Sequence, residues 1–191
     1  MGRYTDYFKD IWALQANRKV IGMTLFGVIL DNKNAFSPGQ QMIVSDETVE
    51  AIKILITKGY DFLFIAGQPP NRTKNLEIQD FENIFYSMKE IITQLGGRIK
   101  NVYYAPSTDK NDPYVKPNTG MFERAQNEGM IKWEGSYFIG AEPNDVKAAV
   151  KSKATPVLIT SGKESKIKAF EMTNQIKVQE FTSLYDFAEK I

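Results

Sequence analysis

The sequence predicts an α/β fold of three layers, with helices on both faces of a central, mostly parallel sheet. Three observations carry this expectation. Short apolar runs alternate with stretches of helical periodicity from residue 20 onward, turn-forming residues separate them, and no repeat or low-complexity segment interrupts the series. Strands that alternate with helices of about 10 to 15 residues imply parallel pairing through right-handed crossovers. A chain of 191 residues suits one domain, large enough to bury about two-thirds of its unfolded surface.

The elements follow in order. Val20 to Leu25 is a short apolar run, and Asp31 to Gln40 is rich in turn formers. Ser45, Asp46 and Glu47 suit a helix start, by side-chain capping and by the macrodipole; Val49, Ile52, Leu55 and Ile56 then share a face before Gly59. Asp61 to Ala66 reads as a buried strand, and Phe81, Ile84, Phe85, Met88, Ile92 and Leu95 repeat at helical spacing up to Gly96 and Gly97. Ile99 to Ala105 is a strand, Thr119 to Glu128 a helix closed by Gly129, Ser136 to Ile139 a strand and Asn144 to Lys151 a helix. Strands at Pro156 to Thr160 and Ile176 to Gln179, then a helix from about Ser183, complete the series. Residues 1–18 stand outside it. Tyr4, Tyr7, Phe8, Ile11 and Trp12 recur at i, i+3, i+4, i+7 and i+8, an amphipathic helical extension that packs on residues 19–191 or docks a protein partner.

Composition narrows the chemistry. The chain has 24 Lys+Arg against 23 Asp+Glu, and neither histidine nor cysteine. Imidazole bases, thiol nucleophiles, Ser-His-Asp triads and Cys or His metal sites therefore lack their reactive atoms, so no zinc is expected. A net charge of +1 without a basic block gives no case for nucleic acid, and no apolar run is long enough for a membrane span. The first ten residues, MGRYTDYFKD, lack the apolar core of a secretory signal, and a cytoplasmic location is expected.

In an open parallel sheet, ligands bind outside the carboxyl ends of the strands. The residues there are Thr24 to Ile29, Ala66 to Gln68, Tyr103 to Pro106, Val115 to Pro117 and Gly140 to Asp145. Their order and spacing resemble the haloacid dehalogenase-like phosphatases, in the branch of histidinol-phosphate and heptose 1,7-bisphosphate phosphatases. The resemblance covers about residues 20–191 and rests on AIKILITKGY (51–60) followed by a strand and Gln68, VYYAP (102–106), KPNTGM (116–121), and YFIG (137–140) with Asp145 five residues on. It implies a Rossmann-like domain without a large cap.

The family's first motif is Asp-x-Asp-Gly-Val, in which one Asp attacks phosphorus and the other protonates the leaving group beside Mg²⁺. The same frame here reads Thr24-Leu25-Phe26-Gly27-Val28. The second motif, normally Thr-Asn-Gln, is Ala66-Gly67-Gln68, and the metal-binding first Asp of the fourth motif is Ala141, while Asp145 is kept. The resemblance therefore implies no catalytic carboxylate at positions 24 and 26, no expected metal or other cofactor, and an inactive homologue that works in binding or assembly. Two alternatives stand beside it: a divergent Mg²⁺-dependent phosphatase of sugar phosphates or bisphosphates, with Asp31, Glu142 and Asp145 as ligands, and a sensor that binds a phosphorylated small molecule without hydrolysing it. Lys116 has two readings as well. It lines an anion pocket with Gln68 and Arg72, or it pairs with Asp145 and ties two loops together. In either case Phe26 fills space at the mouth.

Overall fold

The computed structural model describes residues 18–30, 42–69, 75–163, 167–174 and 176–191. Among them are six strands: β1 (Lys19–Met23), β2 (Tyr60–Ala66), β3 (Ile99–Tyr104), β4 (Tyr137–Gly140), β5 (Thr155–Ile159) and β6 (Gln179–Phe181). Six helices accompany them: α1 (Asp46–Thr57), α2 (Ile78–Gln94), α3 (Gly120–Asn127), α4 (Pro143–Lys151), α5 (Lys168–Asn174) and α6 (Leu184–Lys190). All five strand pairings are parallel, in the order β3-β2-β1-β4-β5-β6. The expected α/β architecture is present, with the strand order reversing between β1 and β4.

The layers follow from strand pleating. All seven residues of β2 are buried, as befits an interior strand covered on both faces. Phe62, Phe64 and Ala66 meet Ile52, Leu55, Phe81, Phe85, Met88 and Phe187 on the α1/α2/α6 side. Leu63 and Ile65 point the other way, into a cluster with Phe122, Trp133, Phe138 and Ala149 on the α3/α4 side. Trp133 lies against β1 so closely that a Cβ at Gly22 would meet its ring at 2.6 Å.

The punctuation read from the sequence is found in place. Ser45 caps α1 by accepting from Thr48 N at 3.2 Å, and Gly59 takes a φ of +84° after that helix. Lys58 closes the far side of the domain: its Nζ donates to the carbonyls of Ala188 (2.8 Å), Glu189 (3.2 Å) and Ile191 (2.5 Å), satisfying the end of α6.

Two elements depart from expectation. The last strand runs over Gln179–Phe181 rather than residues 176–179, because Val178 N donates to the Glu171 carboxylate instead of entering the ladder. Its side chain packs with Val146, Leu158 and Ile167, so the apolar alternation marks the approach to the strand. The short helix α5 has no counterpart among the elements that the sequence predicts. At the amino ends of the strands, buried Asp61 accepts from Arg18 Nε (2.8 Å) and from Arg98 Nε (2.9 Å), a cluster that links β1, β2 and the approach to β3. The proposed amphipathic helix with Tyr4, Tyr7, Phe8, Ile11 and Trp12 lies outside the described residues, as do Asp31 and Arg72. Among the described residues, no helix is long and apolar enough to cross a membrane.

Candidate active site

A crevice forms where the strand order of a parallel sheet reverses, here between the carboxyl ends of β1 and β4. Thr24 follows β1 and is fixed there by its backbone N donating to Ile139 O at 2.9 Å. Its side chain is buried, and Oγ1 accepts from Lys116 Nζ at 3.0 Å. The same ammonium donates to Ile65 O at 3.2 Å and to Asp145 Oδ1. An ammonium has three protons, and Lys116 spends them on three acceptors, one each from β1's end, β2 and α4. The Lys116 and Asp145 side chains are only 9% and 6% exposed, so water contributes little to keeping this charge pair solvated.

Asp145 is set by the start of α4. Its Oδ2 accepts from Ala141 N (2.9 Å) and Glu142 N (3.0 Å), while the Glu142 side chain accepts from the backbone N of Asp145. This reciprocal capping box places a carboxylate at the positive end of the helix, where it is favoured. Gly140 makes the approach feasible, since a Cβ there would stand 2.2 Å from Asp145 Cβ. The ion pair between Lys116 and Asp145 expected as one of two readings is therefore present, and it joins the β3–α3 connection to α4.

The other expected site residues are differently employed. Phe26 is buried in the core on the α1/α2 side, within a turn where Leu30 N donates to Leu25 O at 3.1 Å and Gly27 N to Leu30 O at 2.7 Å. Its ring fills space within that core. This turn also brings residue 30 back beside residue 25. Gln68, expected to bind an anion, instead pins two loops: Nε2 donates to Leu76 O (2.8 Å) and Pro106 O (2.7 Å), and Oε1 accepts from Leu76 N (2.8 Å). Ala66 is buried and its carbonyl accepts from Ala105 N, whereas Gly67 has open space where a Cβ would stand. Ala141 contributes its backbone N–H, held by Asp145. Sequence reasoning missed the Ile65 carbonyl as a partner of Lys116, which no side-chain pattern could reveal.

Magnesium prefers six oxygens, usually including carboxylates that are free to coordinate it. The described residues do not fit that requirement. Asp145 serves Lys116 and two amides, Glu142 serves the helix cap, and no group of three or more Asp, Glu, His or Cys side chains suited to a metal occurs among the described residues.

The family model described as HAD-hydrolase-like matches residues 114–181, which include Lys116 and Asp145. The D-glycero-beta-D-manno-heptose-1,7-bisphosphate 7-phosphatase of Neisseria meningitidis serogroup A is 24% identical over 178 residues, covering 91% of this chain and 94% of that protein. The protein of the same name from Pseudomonas putida is 26% identical over 140 residues, covering 73% and 77%. Among solved structures, D,D-heptose 1,7-bisphosphate phosphatase from B. bronchiseptica, complexed with magnesium and phosphate, superposes with a TM-score of 0.70 at 20% identity, covering 90% of this chain and 97% of that one. The enzyme of that name from Burkholderia thailandensis gives 0.60 at 17% identity, again covering 90% and 97%. The resemblance to haloacid dehalogenase-like phosphatases holds, and the chain has their fold. The expectation of an inactive homologue working in binding or assembly is corrected by these comparisons: relatives covering 73% to 91% of the chain are named as phosphatases, which favours the divergent-phosphatase alternative.

Proposed function

We propose that this chain, a protein of the haloacid dehalogenase-like fold, is a divergent phosphatase that takes the phosphoryl group of a phosphorylated sugar at the Thr24, Lys116 and Asp145 mouth. The observation that carries the reading is the convergence of these three residues at the strand-order reversal, in a chain alignable over 91% of its length with a heptose bisphosphate 7-phosphatase. Lys116 supplies the positive charge for a phosphoryl oxygen, and the Thr24 hydroxyl, whose oxygen already accepts from Lys116, keeps its own proton to donate. An acyl phosphate cannot form on residue 24, which has no carboxylate. Turnover then runs by addition of water to phosphorus and rupture of the ester P–O bond. Asp145 accepts the proton that water gives up, and Lys116 returns one to the leaving alkoxide. No step is assigned to a metal ion.

The test is phosphate release from D-glycero-D-manno-heptose 1,7-bisphosphate and a panel of sugar monophosphates, with and without added Mg²⁺, by the full chain and by Lys116→Ala and Thr24→Ala. Release that falls at least tenfold in Lys116→Ala supports the reading; no release from any ester, or release unchanged in Lys116→Ala, overturns it.

The buried Phe26 favours a second reading, recognition of the sugar phosphate without turnover, because phenylalanine can neither give nor take a proton. A thermal upshift with sugar phosphates, unaccompanied by phosphate release and lost in Lys116→Ala, is its expected signature; a ligand present at a hundred times its Kd adds about 2.7 kcal/mol to stability.

A further inference from the structure

Lys116 is delivered by residues 105–119, a connection that contains neither helix nor strand. Its local bonds are short in range. Asp109 N donates to Ser107 Oγ (3.1 Å), Asn111 N to Asp109 Oδ1 (2.9 Å), Tyr114 N to Asp112 Oδ1 (2.8 Å) and Val115 N to Asp112 O (3.0 Å). Each spans two or three residues, so none of them joins the start of the loop to its end. Asn118 is different. Its Nδ2 donates to Lys110 O (3.0 Å) and to Asp112 O (2.9 Å), eight and six residues back, and its backbone N donates to Val115 O at 3.0 Å. A primary amide has two N–H donors, and both are used to fold residues 110–118 around one side chain.

The far flank is held by neighbouring structure. Gly120 N donates to Pro113 O at 3.0 Å, in an approach so close that a Cβ at residue 120 would lie 2.6 Å from that oxygen. Lys151 Nζ, at the end of α4, reaches Pro117 O at 3.3 Å. Lys116 is thus enclosed between the Asn118 clip and these two contacts.

We propose that Asn118 is the positioning residue for Lys116: by tying Lys110 and Asp112 to the second half of the loop, it holds the lysine backbone where the ammonium can meet Thr24, Ile65 and Asp145 together. Preorganisation of this kind is supplied by a supporting shell of hydrogen bonds rather than by the charged group itself. The inference deepens the proposed function, because Lys116 is the residue that reading depends on. Its test does not require turnover, so the two can fail separately.

The test measures acetylation of individual lysines by acetic anhydride in the full chain at fixed pH, read by peptide mass spectrometry. In the unsubstituted protein Lys116 is expected to react slowly, since its side chain is 9% exposed and all three N–H groups are engaged, while Lys53, whose side chain is 49% exposed, serves as the internal standard. Asn118→Ala removes both donors, and Asn118→Asp removes them while keeping the shape. Both are expected to accelerate Lys116 at least tenfold relative to Lys53, with a cooperative melt retained. A change below twofold in either variant overturns the proposal. So does loss of the cooperative melt in both, because Asn118 would then hold up the fold as a whole rather than place one lysine.

Discussion

Replacing Asp145 by alanine isolates what the Lys116 ion pair is worth. The substitution removes the acceptor of one ammonium N–H and of two backbone N–H groups, at Ala141 and Glu142, and leaves Lys116 as a positive charge only 9% exposed. Breaking a buried pair by deleting one partner costs about 3 to 5 kcal/mol, far more than the net worth of the pair, because the survivor stays charged and unsolvated. The domain is in the size range where 1 kcal/mol shifts Tm by about 2 to 4 °C, so Asp145→Ala should melt roughly 6 to 20 °C lower. Urea unfolding should show a reduced midpoint with an unchanged m-value. The double variant Lys116→Met/Asp145→Ala separates the two components. With the orphaned ammonium gone it should recover a large part of the loss, a coupling of at least about 1 kcal/mol in the double-mutant cycle. Additive single effects, or a single-variant cost below about 1 kcal/mol, would refute the view that the two charges are locked together in a low-dielectric mouth.

Other outcomes follow from the same geometry. Gly140→Ala puts a Cβ 2.2 Å from Asp145 Cβ; this overpacking should cost about 1 to 3 kcal/mol in urea unfolding and should reduce any sugar-phosphate stabilisation as well. Asp61→Ala strips the shared carboxylate from Arg18 and Arg98 at the opposite end of the sheet, so it should lower Tm by several degrees while leaving the acetylation rate of Lys116 unchanged. Tyr103 is pushed up to about 12 by burial first and then by its hydrogen bond to Glu128, against an ordinary 10. The folded state therefore keeps the phenol proton where the unfolded chain releases it. The contribution is complete below pH 10 and is lost as pH rises through 12, so Tyr103→Phe should flatten the loss of stability between those values in alkaline denaturation.

The parts of the molecule visible in the sequence are those governed by local rules. Ser45 and Gly59 were readable because capping and left-handed turns act over a few residues, and the phenylalanines of β2 and α2 because burial imprints a period. The ion pair of Lys116 with Asp145 was one of two readings, since spacing from strand ends brings both to one crevice. Contacts made by backbone groups or by residues far apart were not readable. Gln68 keeps the identity that an anion-binding residue would have, yet its amide is consumed by Leu76 and Pro106. Asp61 reads as part of an apolar strand and is instead the acceptor of two arginines. The last strand begins later than the apolar alternation predicts, because Val178 carries that alternation but gives its N–H to a glutamate side chain.

These distinctions bear on how a mouth without the usual carboxylates could still handle a phosphoester. Thr24, Ile65 and Asp145 together satisfy every proton of Lys116, so an incoming phosphoryl oxygen does not find a vacant donor; it has to displace one of the three. The Ile65 carbonyl belongs to the interior strand β2 and is fixed by the sheet. Asp145 is held by the Ala141 and Glu142 amides just ahead of α4, and the neutral Thr24 hydroxyl is the weakest acceptor of the set. The first exchange should therefore occur at Thr24, with phosphate oxygen taking its place on the ammonium and the freed hydroxyl turning to donate. Thr24→Val, nearly the same in shape but without the hydroxyl, leaves one Lys116 proton unpaired. The freed hydroxyl then donates to the phosphate, so this variant, which lacks it, should bind inorganic phosphate more weakly than the unsubstituted chain in a calorimetric titration, with the fold intact by its melt. Equal or tighter binding would show that the hydroxyl only occupies Lys116 and does not hold phosphate.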